Sequence, residues 1–241
     1  MHRFEEIAWV DTEMGELTLR RRHEPSVDAE VFEVKLGDEY LMSSLFTVAE
    51  EELSRLGLAA LAPEMHGLDV LVGGLGLGYT AIAALRDDRV RSLTVVDALP
   101  AVIAWHRAGL LPVSPSLISD PRTSLVHADF FALMRGEPGA HAELPEKVHA
   151  ILLDVDHTPS FPLDVSHTSL YTVDGLRSLA RHLHPGGVFA LWSDDEPDEA
   201  FLTVLQVVFS HVEGHTVPFA NPITQGVSTN GVYVARDVRP V

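Results

Sequence analysis

The sequence predicts an α/β fold: a Rossmann-like, doubly wound and mostly parallel sheet, preceded by a small antiparallel β segment. From residue 68 onward, short apolar runs alternate with helical patterns, which is typical of a parallel sheet with helices on both faces. Before residue 44, short runs of alternating apolar and polar residues follow one another, which favours antiparallel strands. We therefore predict an N-terminal β segment over residues 1–44 and a Rossmann-like domain over residues 45–241.

The composition excludes several kinds of site and partner. The 241 residues contain no cysteine, so disulfides, thiolate metal sites and cysteine nucleophiles are excluded. The net charge of −18 argues against nucleic acid or an anionic membrane as a partner, and it would suit a cationic substrate. No apolar run approaches the length needed to span a membrane, and Met1–Glu6 does not read as a signal peptide. We expect a cytoplasmic protein without nucleic-acid or membrane partners.

The individual elements follow from the spacing of the apolar residues. Thr47 and Glu50 match a capping box, which predicts a helix from Thr47 to about Leu61. The alternating runs of the N-terminal segment cover residues 16–20, 31–36 and 39–42. The later strands are predicted near residues 69–73, 92–97, 123–128, 148–155 and 187–193. The accompanying helices are predicted near residues 78–86, 99–108, 129–135, 171–183 and 197–209.

Two features near the end of the domain complete the predicted architecture. The apolar runs Thr216–Phe219 and Gly231–Ala235 are expected to form a C-terminal antiparallel hairpin. Residues 157–170 are expected to form a long loop over the carboxyl ends of the strands, where open α/β sheets bind ligands. His157 and His167 lie on this loop, and either could contact a substrate.

The most informative stretch follows the first strand of the domain. Gly74, Gly76 and Gly78 let the backbone turn tightly and let a ligand approach without a Cβ in the way. Asp97 ends the next strand, where an acid can accept both hydrogen bonds of a ribose diol. This unit predicts a nucleoside-cofactor site. Its spacing fits a methionine nucleoside and, through Gly76–Ala81, also the dinucleotide pattern G-x-G-x-x-A, and it does not separate the two.

Two further acids follow the third and fourth strands. Asp129 comes after the third strand, where acids commonly meet an adenine amino group, and Asp154 comes after the fourth. Tyr171–Thr172 and Pro185–Gly187 then bracket a predicted helix. This ordered series resembles the spermidine synthase family, whose members have the S-adenosylmethionine-type transferase fold. The resemblance covers about residues 15–210.

The resemblance implies a transferase that moves an aminopropyl group from decarboxylated S-adenosylmethionine to a small amine. The three glycines would approach the methionine-derived arm, Asp97 would hold the ribose and Asp129 the adenine amine. Asp154 would orient and deprotonate the attacking amine. The residues expected to bind the substrate amine are Glu52, Asp156, Tyr171 and Trp192. The family resemblance also suggests a homodimer.

The chain departs from the family pattern at three places. Gly76 stands where the family usually has an aspartate that helps to bind the aminopropyl ammonium. Glu50–Glu52 stands where the family has Tyr–His/Gln–Glu, so only Glu52 matches. The sequence favours a charged, solvent-facing side of the helix for these glutamates. Thr158–Pro159 stands where the family usually has Asp–Pro.

Two alternatives to aminopropyl transfer stay open. The first is an S-adenosylmethionine-dependent methyltransferase of the same fold, because glycine at position 76 removes one partner of the ammonium. A divalent ion could assist this reaction, since acids after the fourth and fifth strands resemble the ligands of metal-dependent O-methyltransferases. These acids are Asp154, Asp156, Asp194 and Asp195. The second alternative is a non-catalytic nucleoside-binding relative. Our preferred interpretation assigns no metal.

Overall fold

The N-terminal part of the protein is a four-stranded antiparallel sheet. The structure, a computed structural model, describes residues 4–12, 15–137 and 144–240. The strand order in the first sheet is β1-β2-β3-β4. These strands are β1 Phe4–Thr12, β2 Gly15–Glu24, β3 Ala29–Leu36 and β4 Glu39–Ser43. The predicted antiparallel β segment is confirmed, and the domain boundary at residue 44 stays a prediction.

A second sheet of seven strands has the order β10-β11-β9-β8-β5-β6-β7. Strands β5 to β9 run parallel, and β10 and β11 pair antiparallel to close one edge. These strands are β5 Leu68–Gly73, β6 Val90–Asp97, β7 Thr123–His127, β8 Val148–Leu153, β9 Leu183–Ser193, β10 Phe209–Asn221 and β11 Gly226–Val238. The chain winds from β5 to one edge and returns to β8 on the other side of β5. The carboxyl ends of β5 and β8 therefore flank the switch point at which open α/β sheets bind ligands.

Helices cover both faces of this second sheet because its strands are apolar on both sides. In β5, Val70 and Val72 face one hydrophobic core, and Leu71 faces the other. The helices are α1 Val48–Ala59, α2 Tyr79–Ala84, α3 Pro100–Arg107, α4 Ser114–Ser119, α5 Phe130–Arg135, α6 Val173–Ala180 and α7 Glu199–Val208. The first four helices pack on one face together with the N-terminal sheet, and the last three pack on the other. The predicted doubly wound fold is confirmed.

The clearest difference from the predicted elements lies around the last parallel strand. The predicted loop over residues 157–170 contains most of a 3-10 helix, Val165–Tyr171, and the helix predicted over residues 171–183 is the shorter α6. Strand β9 begins at Leu183, which pairs with Val148, rather than at residue 187. Gly186 has a φ of 76°, so the chain can pass through an irregular pairing at a point where the Pro-Gly-Gly sequence indicates a turn.

Two smaller features also differ from the sequence pattern. Helix α4 was not predicted, although its Leu117 is fully buried. Thr47 is the N-cap of α1 as the capping box predicts, but its hydroxyl lies 3.4 Å from Glu51 Oε1 and, within the described chain, caps no backbone N–H. None of the described helices is long and apolar enough to cross a membrane.

Candidate active site

A cavity of about 490 Å³ runs along the carboxyl ends of the parallel strands. The strand order places the end of β7 at one side, followed by β6, β5, β8 and β9. The predicted site residues that line this cavity are Gly74, Gly76, Gly78, Asp97, Asp129, Asp154 and Trp192. Residues from five separate segments of the chain therefore meet at the predicted ligand edge.

The glycine turn between β5 and α2 requires glycine at two of its positions. Gly74 has a φ of 93°, and a Cβ there would lie 2.0 Å from the backbone oxygen of Asp154. Gly78 has a φ of 90°, and its Cβ would lie 2.9 Å from Cε1 of His106. Because side chains rarely adopt these angles and have no room here, the backbone itself forms the cavity wall. A ligand can therefore approach the turn closely.

His106 on α3 holds this turn in place. Its side chain is fully buried, Nε2 lies 2.9 Å from the carbonyl oxygen of Gly76, and Nδ1 lies 3.0 Å from Oγ of Ser114. Burial lowers the pKa of His106, which favours the neutral ring with Nε2–H donating to Gly76. This contact could not be predicted from the sequence, because the turn and α3 meet only through the fold.

Asp97 at the end of β6 is fixed against the same turn. Its Oδ2 accepts a hydrogen bond from the backbone N–H of Leu75 at 2.9 Å, and its Oδ1 accepts one from Leu99 at 2.7 Å. Burial raises the pKa of Asp97, and the backbone donors partly oppose this rise. The carboxylate is therefore held in one orientation on the cavity wall, as a ribose acceptor needs to be. That role stays a prediction.

Asp129 has a structural task as well as a place in the cavity lining. It is the N-cap of α5, and its Oδ1 accepts from the backbone N–H of Phe131 at 2.8 Å and of Ala132 at 3.0 Å. Its other oxygen, Oδ2, has no hydrogen bond to the described residues. Asp129 is therefore oriented by its cap and retains one acceptor for a ligand at the β7 end of the cavity.

Asp154 follows β8 near the middle of the cavity. Its Oδ2 accepts a hydrogen bond from Oγ1 of the buried Thr80 at 2.5 Å. Burial raises the pKa of Asp154 to about 6. The Thr80 hydroxyl also lies 3.4 Å from the backbone oxygen of Glu50, so it links α1 to the end of β8.

Glu50 in the first turn of α1 lines the cavity together with Asp154. Burial, and then the charge of Asp154, raise the pKa of Glu50 to about 8. Near neutral pH, this pair of acids therefore retains a proton. The helix presents Glu50 to the cavity, whereas Glu52 pairs with Arg55 at 2.5 Å and lies outside the lining. The sequence predicts a solvent-facing position for Glu50, whereas the structure places it in the cavity lining. The predicted substrate-binding role of Glu52 is not supported by any contact with the cavity among the described residues.

Asp156 and Tyr171, expected at the substrate, lie behind the cavity lining. Asp156 is 1% exposed, and the Tyr171 hydroxyl donates to its Oδ2 at 2.5 Å. Trp192 and Asp194 do line the cavity near β9. The indole Nε1 of Trp192 is buried and has no partner among the described residues.

The four acids of the metal alternative do not meet in the described structure. Asp154 and Asp194 line the cavity, Asp195 lies outside the lining, and both oxygens of Asp156 accept hydrogen bonds from protein donors. Within the described ranges, one group of side chains of types that can ligate a metal has its ligand atoms within 4.8 Å of one another. The group consists of Asp69, His149 and His184.

That group lies at the opposite, amino end of the strands and is already paired within the protein. Arg91 binds the Asp69 carboxylate at 2.5 Å, and Ser92 donates to it at 2.6 Å. Nδ1 of His149 accepts from the backbone N–H of Asp69 at 3.0 Å. A metal ion would have to displace these contacts, so we assign none there.

Comparison with known proteins supports the resemblance inferred from the sequence. No protein-family model matches the chain. Over 120 residues the chain is 32% identical to a polyamine aminopropyltransferase of Sulfolobus acidocaldarius, a stretch that covers 49% of this chain and 36% of the relative. The matched part is thus about a third of the relative's length. The predicted resemblance to the spermidine synthase family is confirmed by this match over about half of the chain.

Solved structures share the fold. A spermidine synthase in complex with the transition state analogue AdoDATO superposes with a TM-score of 0.72 at 17% identity, over 98% of this chain and 75% of that one. Human methyltransferase-like protein 13 in complex with SAH gives a TM-score of 0.54 at 19% identity, over 78% of this chain and 82% of that one. The predicted S-adenosylmethionine-type transferase fold is therefore confirmed, and it is common to both reaction types.

Proposed function

We propose that the protein is a transferase that moves the aminopropyl group of decarboxylated S-adenosylmethionine to a small amine. The observation that carries this proposal is the pair of half-buried acids, Glu50 and Asp154, which line the cavity together with the glycine turn. Burial makes a second negative charge costly, so the pair holds a proton. A bound ammonium can take the place of that proton, and a cationic amine is therefore a suitable ligand.

The residues at the other side of the cavity fit the nucleoside. The turn at Gly74 and Gly78 leaves backbone rather than side chain on the wall, so that a methionine-derived arm can pass close to it. Asp97 is fixed where a ribose diol could be held, and Asp129 retains Oδ2 for the base. Because β6 and β7 are neighbours, ribose and base would follow each other along the sheet edge.

When bound, the decarboxylated nucleoside supplies a carbon attached to a sulfonium, from which a neutral thioether can leave. The attacking amine arrives as an ammonium with a pKa near ~10 and must lose a proton before it can form a bond to carbon. Asp154, with its pKa raised to about 6, accepts that proton more readily than an ordinary carboxylate does. The freed lone pair forms the C–N bond as the C–S bond breaks. Trp192 and the apolar lining help to exclude water.

Glu50 also bears on which group is transferred. Gly76 leaves room that is taken by Met42, whose Sδ would lie 3.2 Å from a Cβ at Gly76. The family's usual acid is therefore replaced by a thioether at this point. Glu50 lines the same cavity and offers a carboxylate for the ammonium that the missing aspartate would hold. This arrangement favours aminopropyl transfer.

Methyl transfer from S-adenosylmethionine is the second candidate. The thioether of Met42 beside Gly76 favours it, because no acid stands at this point to bind an aminopropyl ammonium. The two functions are separated by incubating the protein with either nucleoside and a set of linear diamines and measuring product mass. Aminopropylated product from the decarboxylated nucleoside alone would support the first proposal, and methylated product would support the second. Nucleoside binding without product from either would indicate the non-catalytic alternative.

A further inference from the structure

Behind the cavity lining, the buried carboxylate of Asp156 has three hydrogen-bond partners. Oδ1 of Asp156 accepts from the backbone N–H of Leu163 at 2.7 Å and lies 2.8 Å from Nδ1 of His167. Oδ2 accepts from the Tyr171 hydroxyl at 2.5 Å. Asp156 is 1% exposed, so these protein groups, rather than water, compensate its charge. Burial and the nearby Asp156 raise the pKa of Tyr171 well above its ordinary value, so Tyr171 keeps its proton and donates.

This arrangement fixes how His167 is oriented. The ionised carboxylate of Asp156 can only accept hydrogen bonds, so the hydrogen between it and His167 lies on Nδ1 of His167. In the neutral ring, Nε2 then presents a lone pair. His167 lines the cavity, and within the described residues Nε2 has no partner. The imidazole plane is set from one side by Phe131, whose ring stacks on it at 3.6 Å between centroids and 7° between planes.

Phe131 also connects His167 to Asp129. The backbone N–H of Phe131 donates to Oδ1 of Asp129, and Oδ2 of Asp129 stays available to a ligand. The β7 end of the cavity therefore offers two hydrogen-bond acceptors, the Asp129 carboxylate and the His167 imidazole, next to aromatic rings of α5. A planar group that carries two N–H bonds on one nitrogen matches this pair, and a carbonyl oxygen does not.

We propose that His167, positioned by Asp156 and Tyr171, is a specificity-determining residue that accepts a hydrogen bond from the exocyclic amine of the nucleoside's base. Asp129 accepts the amine's other hydrogen. This assignment rests on the proposed nucleoside site, and it restricts the base to one with an amino group. A base with a carbonyl at the same position would face two acceptors and leave both unpaired, which is a costly arrangement in a buried site.

The test is calorimetric titration of the full chain with methylthioadenosine and with methylthioinosine, which replaces the amine by a carbonyl. We expect the wild-type protein to bind the amine form about 100-fold more tightly, since each lost hydrogen bond to a buried or charged group weakens binding by about tenfold. His167→Phe, which keeps a flat ring beside Phe131, should lower this preference by about tenfold. His167→Gln restores a carbonyl acceptor and should recover part of the preference.

A matched control is His211→Phe, because His211 is exposed, pairs with Asp237 at 2.9 Å and is not part of the cavity lining. It should leave the preference unchanged. Asp156→Asn should lower the preference without changing any group in the lining, and thermal melts check that each variant is folded. Equal binding of both nucleosides by the wild-type protein, or an unchanged preference in His167→Phe and His167→Gln, would overturn the assignment. If neither nucleoside binds the wild-type protein, the proposed function fails together with it.

Discussion

Replacing Glu50 by glutamine tests the half-buried pair of acids, Glu50 and Asp154, without any ligand. Burial and the charge of Asp154 raise the pKa of Glu50 from its ordinary value of 4.5 to about 8. The folded protein therefore binds this proton more tightly than the unfolded chain does. The stability that results is fully present below pH 4.5 and is lost as the pH rises through about 8. Ionised Glu50 thus destabilises the wild-type protein at high pH.

The size of the effect follows from the same values. A tenfold change in proton affinity corresponds to about 1.4 kcal/mol, so the rise from 4.5 to about 8 gives an upper limit of roughly 4–5 kcal/mol. Glu50→Gln keeps the shape and removes the charge. We expect its free energy of unfolding to fall less steeply than that of the wild-type protein between pH 5 and pH 8.5. Urea denaturation at these two pH values, followed by tryptophan fluorescence, measures the difference.

Glu52→Gln is the matched control on the same helix. Glu52 pairs with the exposed Arg55, and an exposed pair of this kind contributes only about 0.3–0.5 kcal/mol. This variant should therefore follow the wild-type pH dependence. If Glu50→Gln and Glu52→Gln show the same pH dependence as the wild-type protein, the pKa of Glu50 is not raised by its surroundings, and the proposed ammonium site loses its main support.

Three further changes test the rest of the site. Asp97→Ala should weaken nucleoside binding by about tenfold or more in calorimetry, because the ribose loses a charged acceptor, and unchanged affinity would place the ribose elsewhere. Asp154→Asn should lower turnover by about 10²- to 10⁴-fold while nucleoside affinity is kept, and an active variant would exclude Asp154 as the proton acceptor. Gly74→Ala should lower the free energy of unfolding by about 2–3 kcal/mol or more, because its Cβ would meet the Asp154 carbonyl, and a urea midpoint equal to that of the wild type would contradict the turn geometry.

The sequence predicted the sheet, the glycine turn and the acids that follow the strands because these depend on local patterns. Asp97, Asp129 and Asp154 each come directly after an apolar run, and parallel strands bring such positions to one edge. The roles of Asp156 and His106 could not be predicted in this way. Whether a residue two positions beyond a strand faces a cavity or the protein interior depends on how the following loop folds back, and Asp156 turns inward to meet Tyr171.

The choice between Glu50 and Glu52 on α1 could not be made from the sequence pattern either. Leu53, three residues after Glu50, and Ala49, three residues before Glu52, are both buried, so helical spacing places either glutamate beside a buried position. The family resemblance favoured Glu52 because Glu52 matches the family's residue type at that position. Which glutamate faces the cavity depends instead on how α1 is oriented, and the structure places Glu50 there. With Met42 filling the space at Gly76, the negative charge usual in that turn is missing, and Glu50 provides a carboxylate from the helix instead. The proposed specificity for an amine therefore depends on the orientation of α1 as much as on the glycine turn.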